Sequence, residues 1–471
     1  MTERASHPPR SAAWTPGQRL LTTGLVFLVT AVAFEGLAIP TALPATLDEL
    51  PGLPLYGWAF SGFWLSNLVG IALAGVESDR RGPFVPLVAG VVTFTAGLLI
   101  AGLAPSMAWV VTGRVVQGLG SGAIAAITYV AIARGYDPSV QPRMIAVVQS
   151  AWVLPGLVGP ALAGWISEEL SWRWAFIGLA PLVPLAALAV GGPLRRIPAP
   201  TARSTADVTA SGMPAGTPVR DALQLTLGAG ALLSAASFGD VAPRLVIAAA
   251  GLLLVVPAMR RLLPPGTLTA GTGRGAAVAT LGLASVAFFG TEAFIPLTVA
   301  SVRNAGTLAG GLSLTAAAVT WAVGSWIQAR LASRRSRRSV TLAGLGLVAA
   351  GVLLVAAVPV TSLHPVALAG AAWAVAGLGM GLAYSTATLA IIESATPGEE
   401  GAASASVQLA ESLGIALGTG VAGGVVAISA QGSLGMAPGI VMADLVMLIT
   451  LVFAVYAARR MPAAAGAAGA R

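Results

Sequence analysis

Apolar stretches long enough to cross a bilayer return about fourteen times along this 471-residue chain, and that recurrence leaves few folds open. A spanning helix needs about 20 apolar residues, and inside hydrocarbon every backbone N–H and C=O must be satisfied within a helix or a closed barrel. The runs here are continuous, unlike the ~10-residue alternation of barrel strands. Only 9% of the residues are charged, against about 25% in a soluble domain, so a water-soluble fold would lack a polar surface. Spans are predicted over 20–44, 55–75, 85–104, 107–134, 142–166, 174–194, 221–238, 243–259, 276–299, 305–330, 339–360, 365–391, 401–428 and 436–458. The expected fold is an all-α polytopic membrane protein with 14 transmembrane helices.

Charge sets the expected orientation. The 26 basic residues are all arginine. Arg173, Arg244 and Arg303 fall in loops of one side and Arg114 falls inside a span; the others gather on the opposite side, which the positive-inside rule makes cytoplasmic. Both termini are then cytoplasmic, and the pI near 11 reflects loop arginines, not nucleic-acid binding. The first apolar run is too long for a signal-peptide core and lacks a small-residue cleavage site, so it reads as an uncleaved span. The expected organisation is an N-terminal tail (1–19), a six-helix bundle (20–196), a flexible cytoplasmic linker (197–219) rich in Pro, Thr, Ser, Ala and Gly, two extra helices (220–262), a second six-helix bundle (263–460) and a low-complexity tail (461–471). Two short central spans turning near Gly239-Asp240-Val241-Ala242-Pro243 keep Arg334, Arg335, Arg337 and Arg338 cytoplasmic; a single span would invert them.

Several chemistries lack their parts. With no cysteine and only His7 and His364, neither a disulfide framework nor a histidine or thiolate metal site is expected. No phosphate-binding Gly-Lys loop and no Ser/His/Asp arrangement occurs, so an enzyme or a nucleotide-driven pump is not expected.

What remains is a set of polar residues inside spans. A charge at the middle of a membrane helix costs at least ~2.5 kcal/mol, which makes each such residue a candidate for function. Glu35 and Arg114 lie at equal depth, ~12–14 Å from the outer ends of their spans at 1.5 Å per residue. They can form an ion pair that protonation of Glu35 would release, biasing two conformations. Glu292 lies at the same depth in the ninth span, and Glu411 nearer mid-depth with Gln408 one turn before it. The four form the expected proton-coupling set. Asp444 reads as a packing residue and Arg173 as an interface anchor. The two halves show weak self-similarity, as transporter halves do: Glu35 precedes Ile39-Pro40, and Glu292 precedes Ile295-Pro296. Gln117, Trp58, Trp64, Asn67, Trp321, Tyr384 and Gln408 are the substrate-cavity candidates. Few of the presumed lining residues are polar, which favours an apolar or mildly cationic cargo. Glycines let helices approach closely, and the Gly-Pro step within Gly156-Leu157-Val158-Gly159-Pro160-Ala161-Leu162-Ala163-Gly164 also bends its helix.

In these residues the chain resembles the major facilitator superfamily, specifically its fourteen-span drug:proton antiporters. The pattern G-x-x-x-D-R-x-G is matched by Gly75, Asp79, Arg80 and Gly82, with Pro83 and Phe84 where basic residues usually follow. R-x-x-Q-G-x-G is matched by Arg114, Gln117, Gly118 and Gly120. The Gly-Pro antiporter signature is matched by Gly156, Gly159, Pro160 and Gly164, with Ala163 for one closing glycine. In the first span Glu35 stands where that family carries Asp, closed by Ala42-Leu43-Pro44. The resemblance implies two six-helix bundles around a cavity, alternating access by rocking, peripheral extra helices, a cytoplasmic gate at Gly75, Asp79, Arg80 and Gly82, and proton coupling through Glu35 and Arg114. The expected function is export of a hydrophobic or amphipathic compound (a drug, antibiotic or secondary metabolite) across the bacterial inner membrane. No cofactor beyond the proton gradient is expected. The expected partners are the small-molecule cargo, protons and membrane lipids, and the expected state is a monomer. A lipid or glycolipid exporter of the same fold is the alternative, with a non-transporting membrane sensor behind it.

Overall fold

A computed structural model describes residues 16–462 apart from 138, 198–217, 236–239, 333 and 397–398. The expected tails at 1–15 and 463–471, and nearly all of the 197–219 linker, lie outside the described residues. Among the described residues the regular structure is entirely helical, and thirteen helices are long and apolar enough to cross a membrane.

The first half contains α1 (Pro16–Glu49), α2 (Tyr56–Arg81), α3 (Phe84–Gly102), α4 (Met107–Gly135), α5 (Gln141–Ser150), α6 (Val153–Glu169), α7 (Arg173–Ile177) and α8 (Leu182–Leu194). Proline explains where spans break. A proline ring clashes with the carbonyl four residues earlier: Pro155 therefore separates α5 from α6 at Ala151, and Pro181 stops α7 at Ile177. Pro40 and Pro44 sit within α1, which continues to Glu49, five residues past the predicted end.

Next come α9 (Pro218–Ala235) and α10 (Val241–Leu262), packed against one another. Among the described residues α9 falls outside the thirteen membrane-length apolar helices: Arg220, Asp221, Gln224 and Thr226 crowd its first turns, and the last residues of the span predicted over 221–238 lie outside the described residues. Asp221 pairs with Arg261 at 2.8 Å, and Gln224 accepts from the same guanidinium at 2.6 Å, joining the two helices. Thr226 donates to the Leu65 carbonyl of α2 at 2.9 Å.

The second half contains α11 (Arg274–Glu292), α12 (Thr307–Leu331), α13 (Arg337–Ala357), α14 (Pro365–Glu393), α15 (Glu400–Gln431) and α16 (Met436–Ala458). Pro296 ends α11 at Glu292, and a wide turn over Thr298–Val302 leads to α12. The halves repeat one packing plan. In the first, α4 packs on α2 and α3 while α1 meets α6 and α8; in the second, α14 packs on α12 and α13 while α11 meets α15 and α16.

That repeat is written in glycines. Arg114-x-x-x-Gly118-x-Gly120-x-Gly122 on α4 answers Trp373-x-x-x-Gly377-x-Gly379-x-Gly381 on α14. A β-carbon at Gly118 or Gly122 would strike α2, and one at Gly120 would strike α3. At Gly377 or Gly381 it would strike α12, and at Gly379 it would strike α13. Bare glycine surfaces let backbones approach where a side chain would hold them apart.

Candidate functional site

Glu35 on α1 is fully buried, and Arg114 on α4 is 2% exposed. The helices bring them together as an ion pair through Arg114 Nη1 and Glu35 Oε1. Gln117, one turn after Arg114, accepts from Arg114 Nη1 at 3.2 Å and donates to Glu35 Oε1 at 3.3 Å. Arg114 Nε donates to the Ala59 carbonyl of α2 at 2.9 Å, and the guanidinium lies 4.2 Å from the Phe63 ring centre. Three helices thus hold one cation. Glu35 Oε2 has no hydrogen-bond partner. A buried carboxylate oxygen without a partner is costly, so the pair is strongly held on one side and incomplete on the other.

In the second half Glu292 takes the corresponding place on α11. Its donor is the indole of Trp373, whose Nε1 is 3.3 Å from Glu292 Oε2. Trp373 is fully buried and stacks on Phe288 at 4.4 Å. Asp444 on α16 is 2% exposed; it accepts from the Thr291 hydroxyl at 2.9 Å and its Oδ2 is unpartnered. Glu411 on α15 accepts from the Tyr384 hydroxyl at 2.8 Å. Tyr129 of α4 interacts with Gln408 and lies within the field of Glu411, joining the two halves there. Half-buried rings connect the acids: Phe289 lies 6.2 Å from Trp321, and Trp321 lies 5.5 Å from Tyr384.

The other cavity candidates divide. Trp321, Tyr384 and Gln408 fall in this second-half cluster, and Gln117 in the first-half site. Trp58 lies against Gly230 of α9, and both Trp58 and Trp64 pack on the cluster that holds Leu65, Leu225 and Leu233, Trp64 also packing on the main core beside Phe63. Asn67 is buried where α2 meets Gly122 of α4.

The glycine-proline stretch of α6 forms a seam between the halves. Gly156, Gly159, Pro160 and Gly164 share a buried face. A β-carbon at Gly164 would meet the Leu308 backbone at 2.7 Å, and one at Gly311 would strike Pro160. Glu168 accepts from Leu308 N at 2.9 Å. A second seam joins α2 to the other half: Gly57 faces Gly423, Ser61 donates to the Ala416 carbonyl at 2.8 Å, and Tyr56 donates to the Ala293 carbonyl at 3.2 Å. Both seams lie at the end opposite the arginine-rich helix ends.

At the arginine-rich end the ion pairs run within each half. Asp79 pairs with Arg134 at 2.6 Å, and Arg134 also donates to the Ser78 carbonyl at 3.3 Å. Gly82 caps α2 with φ 80°, a left-handed conformation that favours glycine. Arg80 is exposed, and Gly75 has open space around it. In the second half Arg337 pairs with Glu393, and Arg274 pairs with Glu399 at 2.8 Å. The Arg274 guanidinium holds the Glu399 carboxyl below the usual carboxylate range.

Trp373, Tyr129, Phe289 and Arg134 were not legible as site residues from spacing alone. The repeated glycine frame carried the missing signal for Trp373, since it sits where Arg114 sits.

Two pseudo-equivalent helical halves, meeting through small-residue seams and holding buried acids on their first helices, define a polytopic membrane transporter and not an enzyme. The family model described as "Major Facilitator Superfamily" matches residues 21–419. The chain belongs to that superfamily and is a multi-pass plasma-membrane protein. A "Probable multidrug-efflux transporter" of Mycobacterium tuberculosis is 29% identical over 489 residues, covering 98% of this chain and 100% of the relative. The "Multidrug transporter protein MdtP" of Bacillus subtilis is 24% identical over 419 residues, covering 86% of this chain and 75% of the relative. Among solved structures, a bacterial homolog of the human lysosomal transporter Spinster superposes with a TM-score of 0.66 at 17% identity, covering 95% of this chain and 98% of the other. A POT peptide transporter superposes with a TM-score of 0.62 at 13% identity, covering 95% and 99%.

Proposed function

We propose that this protein is a proton-coupled exporter that carries a hydrophobic or amphipathic organic compound out of the cell by alternating access, with its arginine-rich ends in the cytoplasm. The observation that carries the reading is the Glu35–Arg114–Gln117 cluster: a buried acid, tied to a cation from another helix, with one oxygen free to take a proton. Protonating Glu35 removes the charge that holds Arg114, so one proton changes the contact of α1 with α4. The two small-residue seams supply surfaces that can close and part as the halves rock. The names of the Mycobacterium and Bacillus relatives favour an exporter of foreign compounds. The proton-motive force supplies about 2.3 kcal/mol per charge per 100 mV, enough for uphill export. In liposomes carrying the purified protein and an imposed pH gradient, ethidium is expected to move against its gradient and to stop when an uncoupler is added. Glu35→Gln is expected to retain downhill exchange and lose the pH-driven component; full pH-driven transport by that variant would overturn the assignment.

A further inference from the structure

At the arginine-rich end of the first half, α3 and α8 flank a groove of about 470 Å³, within the range of about 300–1,000 Å³ common for small-ligand sites. Its walls include Leu87, Val88 and Val92 of α3 and Leu188, Gly191 and Gly192 of α8. Both helices belong to membrane-length apolar segments and pack on helices of the first half, away from the two seams. Val92 is 62% exposed and Leu188 76%, so the groove opens sideways to the hydrocarbon around the protein and not to the space between the halves.

Glycine keeps it open. A pair of arginines follows the last turn of both α8 and α16; counted back from that pair, Gly191-Gly192 stand where α16 carries Val455-Tyr456. In the second half the ring beneath the closing arginine belongs to the same helix, with Arg460 4.7 Å from the Tyr456 ring centre. In the first half the ring is supplied from across the groove, with Arg195 4.4 Å from the Phe84 ring centre. A β-carbon at Gly192 would meet nothing within 4 Å, and one at Gly191 would touch Phe84 at 3.4 Å. Helix packing therefore does not demand glycine at Gly192, and glycine is a poor helix former. The mouth is basic: Arg195 and Arg196 are exposed there, and among the described residues no acid pairs with either. Basic pockets between membrane helices attract anionic lipid head groups.

We propose that the α3–α8 groove binds one anionic phospholipid of the leaflet that meets the arginine-rich helix ends, with an acyl chain laid between Val88, Val92, Leu188 and Gly192 and the phosphate held by Arg195 and Arg196. Chain and head group are recognised by different parts of the site. The groove supplies apolar contact that any lipid can use, and the two arginines supply the preference for negative charge. The second half, with Tyr456 in place of Gly192, has no matching site. The proposal goes beyond the exporter reading and does not depend on it.

The test uses the full-length protein, stripped of lipid in detergent micelles, with native mass spectrometry to count bound molecules and differential scanning fluorimetry to follow unfolding. The probes are dioleoylphosphatidylglycerol (anionic), dioleoylphosphatidylcholine (zwitterionic) and glycerophosphate (a head group without chains). Wild type is expected to hold one phosphatidylglycerol at least tenfold more tightly than either other probe and to gain thermal stability from it, since a ligand bound to the folded state alone raises the midpoint. Gly192→Leu puts a good helix former into open space; it is expected to unfold no earlier than wild type and to bind phosphatidylglycerol at least tenfold more weakly. Arg195→Gln/Arg196→Gln is expected to bring phosphatidylglycerol within threefold of phosphatidylcholine. Arg459→Gln/Arg460→Gln removes the same charge from the matching end of the second half and is expected to leave binding within threefold of wild type. Equal affinity of wild type for the two lipids, glycerophosphate bound as tightly as lipid, unchanged binding in Gly192→Leu, or equal losses in the two arginine pairs would overturn the site. A lipid-free dimer that Gly192→Leu dissociates would put a second copy of the chain in the groove and would overturn it too. These readouts involve no transport, so their failure leaves the exporter reading standing, and loss of pH-driven export leaves the lipid site standing.

Discussion

Trp373 stands to Glu292 as Arg114 stands to Glu35: in each half a side chain of the fourth helix donates to an acid on the first. One donor carries charge and the other does not. The pseudo-symmetry of the backbone is therefore broken in its electrostatics, and the two acids are not interchangeable.

The buried pair gives a stability prediction. Breaking a buried ion pair at one partner typically costs about 3–5 kcal/mol, whereas replacing both partners with apolar residues is often neutral. Arg114→Leu is expected to lower the thermal unfolding midpoint sharply, and Glu35→Leu/Arg114→Leu to recover most of the loss. Differential scanning fluorimetry in detergent would read both. A double variant as unstable as the single one would show that the packing of Arg114 on Phe63 and Ala59 matters more than its pairing.

The seam glycines give a steric prediction. A side chain at Gly311 would strike Pro160, and one at Gly164 would press on Leu308. Overpacking of this kind costs about 1–3 kcal/mol. Gly311→Val is expected to lower stability by that amount and cut transport at least tenfold, because the halves can no longer meet. Gly75→Ala, which meets open space, is expected to be neutral or to stabilise α2 by up to ~1 kcal/mol. Paired unfolding and liposome-efflux measurements would separate the two.

Glu399 gives a pH prediction. Arg274 donates to it and holds its carboxyl below the usual range. A group whose folded-state pKa is depressed stabilises the fold above its unfolded value of about 4.3, and that contribution is lost as pH falls through the lower folded value. Wild type and Glu399→Gln are expected to differ by a constant margin from about pH 6 to 8, and the margin is expected to shrink as pH falls below about 4.3 and through the lower folded value. The midpoint difference, measured across pH, checks this. A margin that grows on acidification would contradict the sign.

The central hairpin gives a fourth prediction. Arg261 is half-exposed, but its partner Asp221 is 3% exposed. Arg261→Ala leaves that carboxylate buried without its cation and is expected to cost about 1–3 kcal/mol. The thermal unfolding midpoint, read by differential scanning fluorimetry in detergent, should fall accordingly, and Asp221→Asn/Arg261→Gln should recover part of the loss.

Much of this was legible in the sequence because hydrocarbon is an unforgiving solvent. Continuous apolar runs announced the helices, loop arginines set an expected orientation, and Glu35 with Arg114 could be matched by depth alone. Span ends were less legible. Pro40 and Pro44 lie within α1, whereas Pro155, Pro181 and Pro296 divide their spans, and neighbouring packing decides which outcome follows.

By itself the sequence determined that this is a helical membrane protein in two related halves with acids inside them, since burial cost and periodicity act along the chain. Only the tertiary structure decided the partners: that Trp58 meets α9, that Trp373 serves Glu292, and that Tyr129 reaches Gln408. Those pairings join residues far apart in the chain, and their geometry depends on how glycine-notched helices nest, which local pattern does not encode.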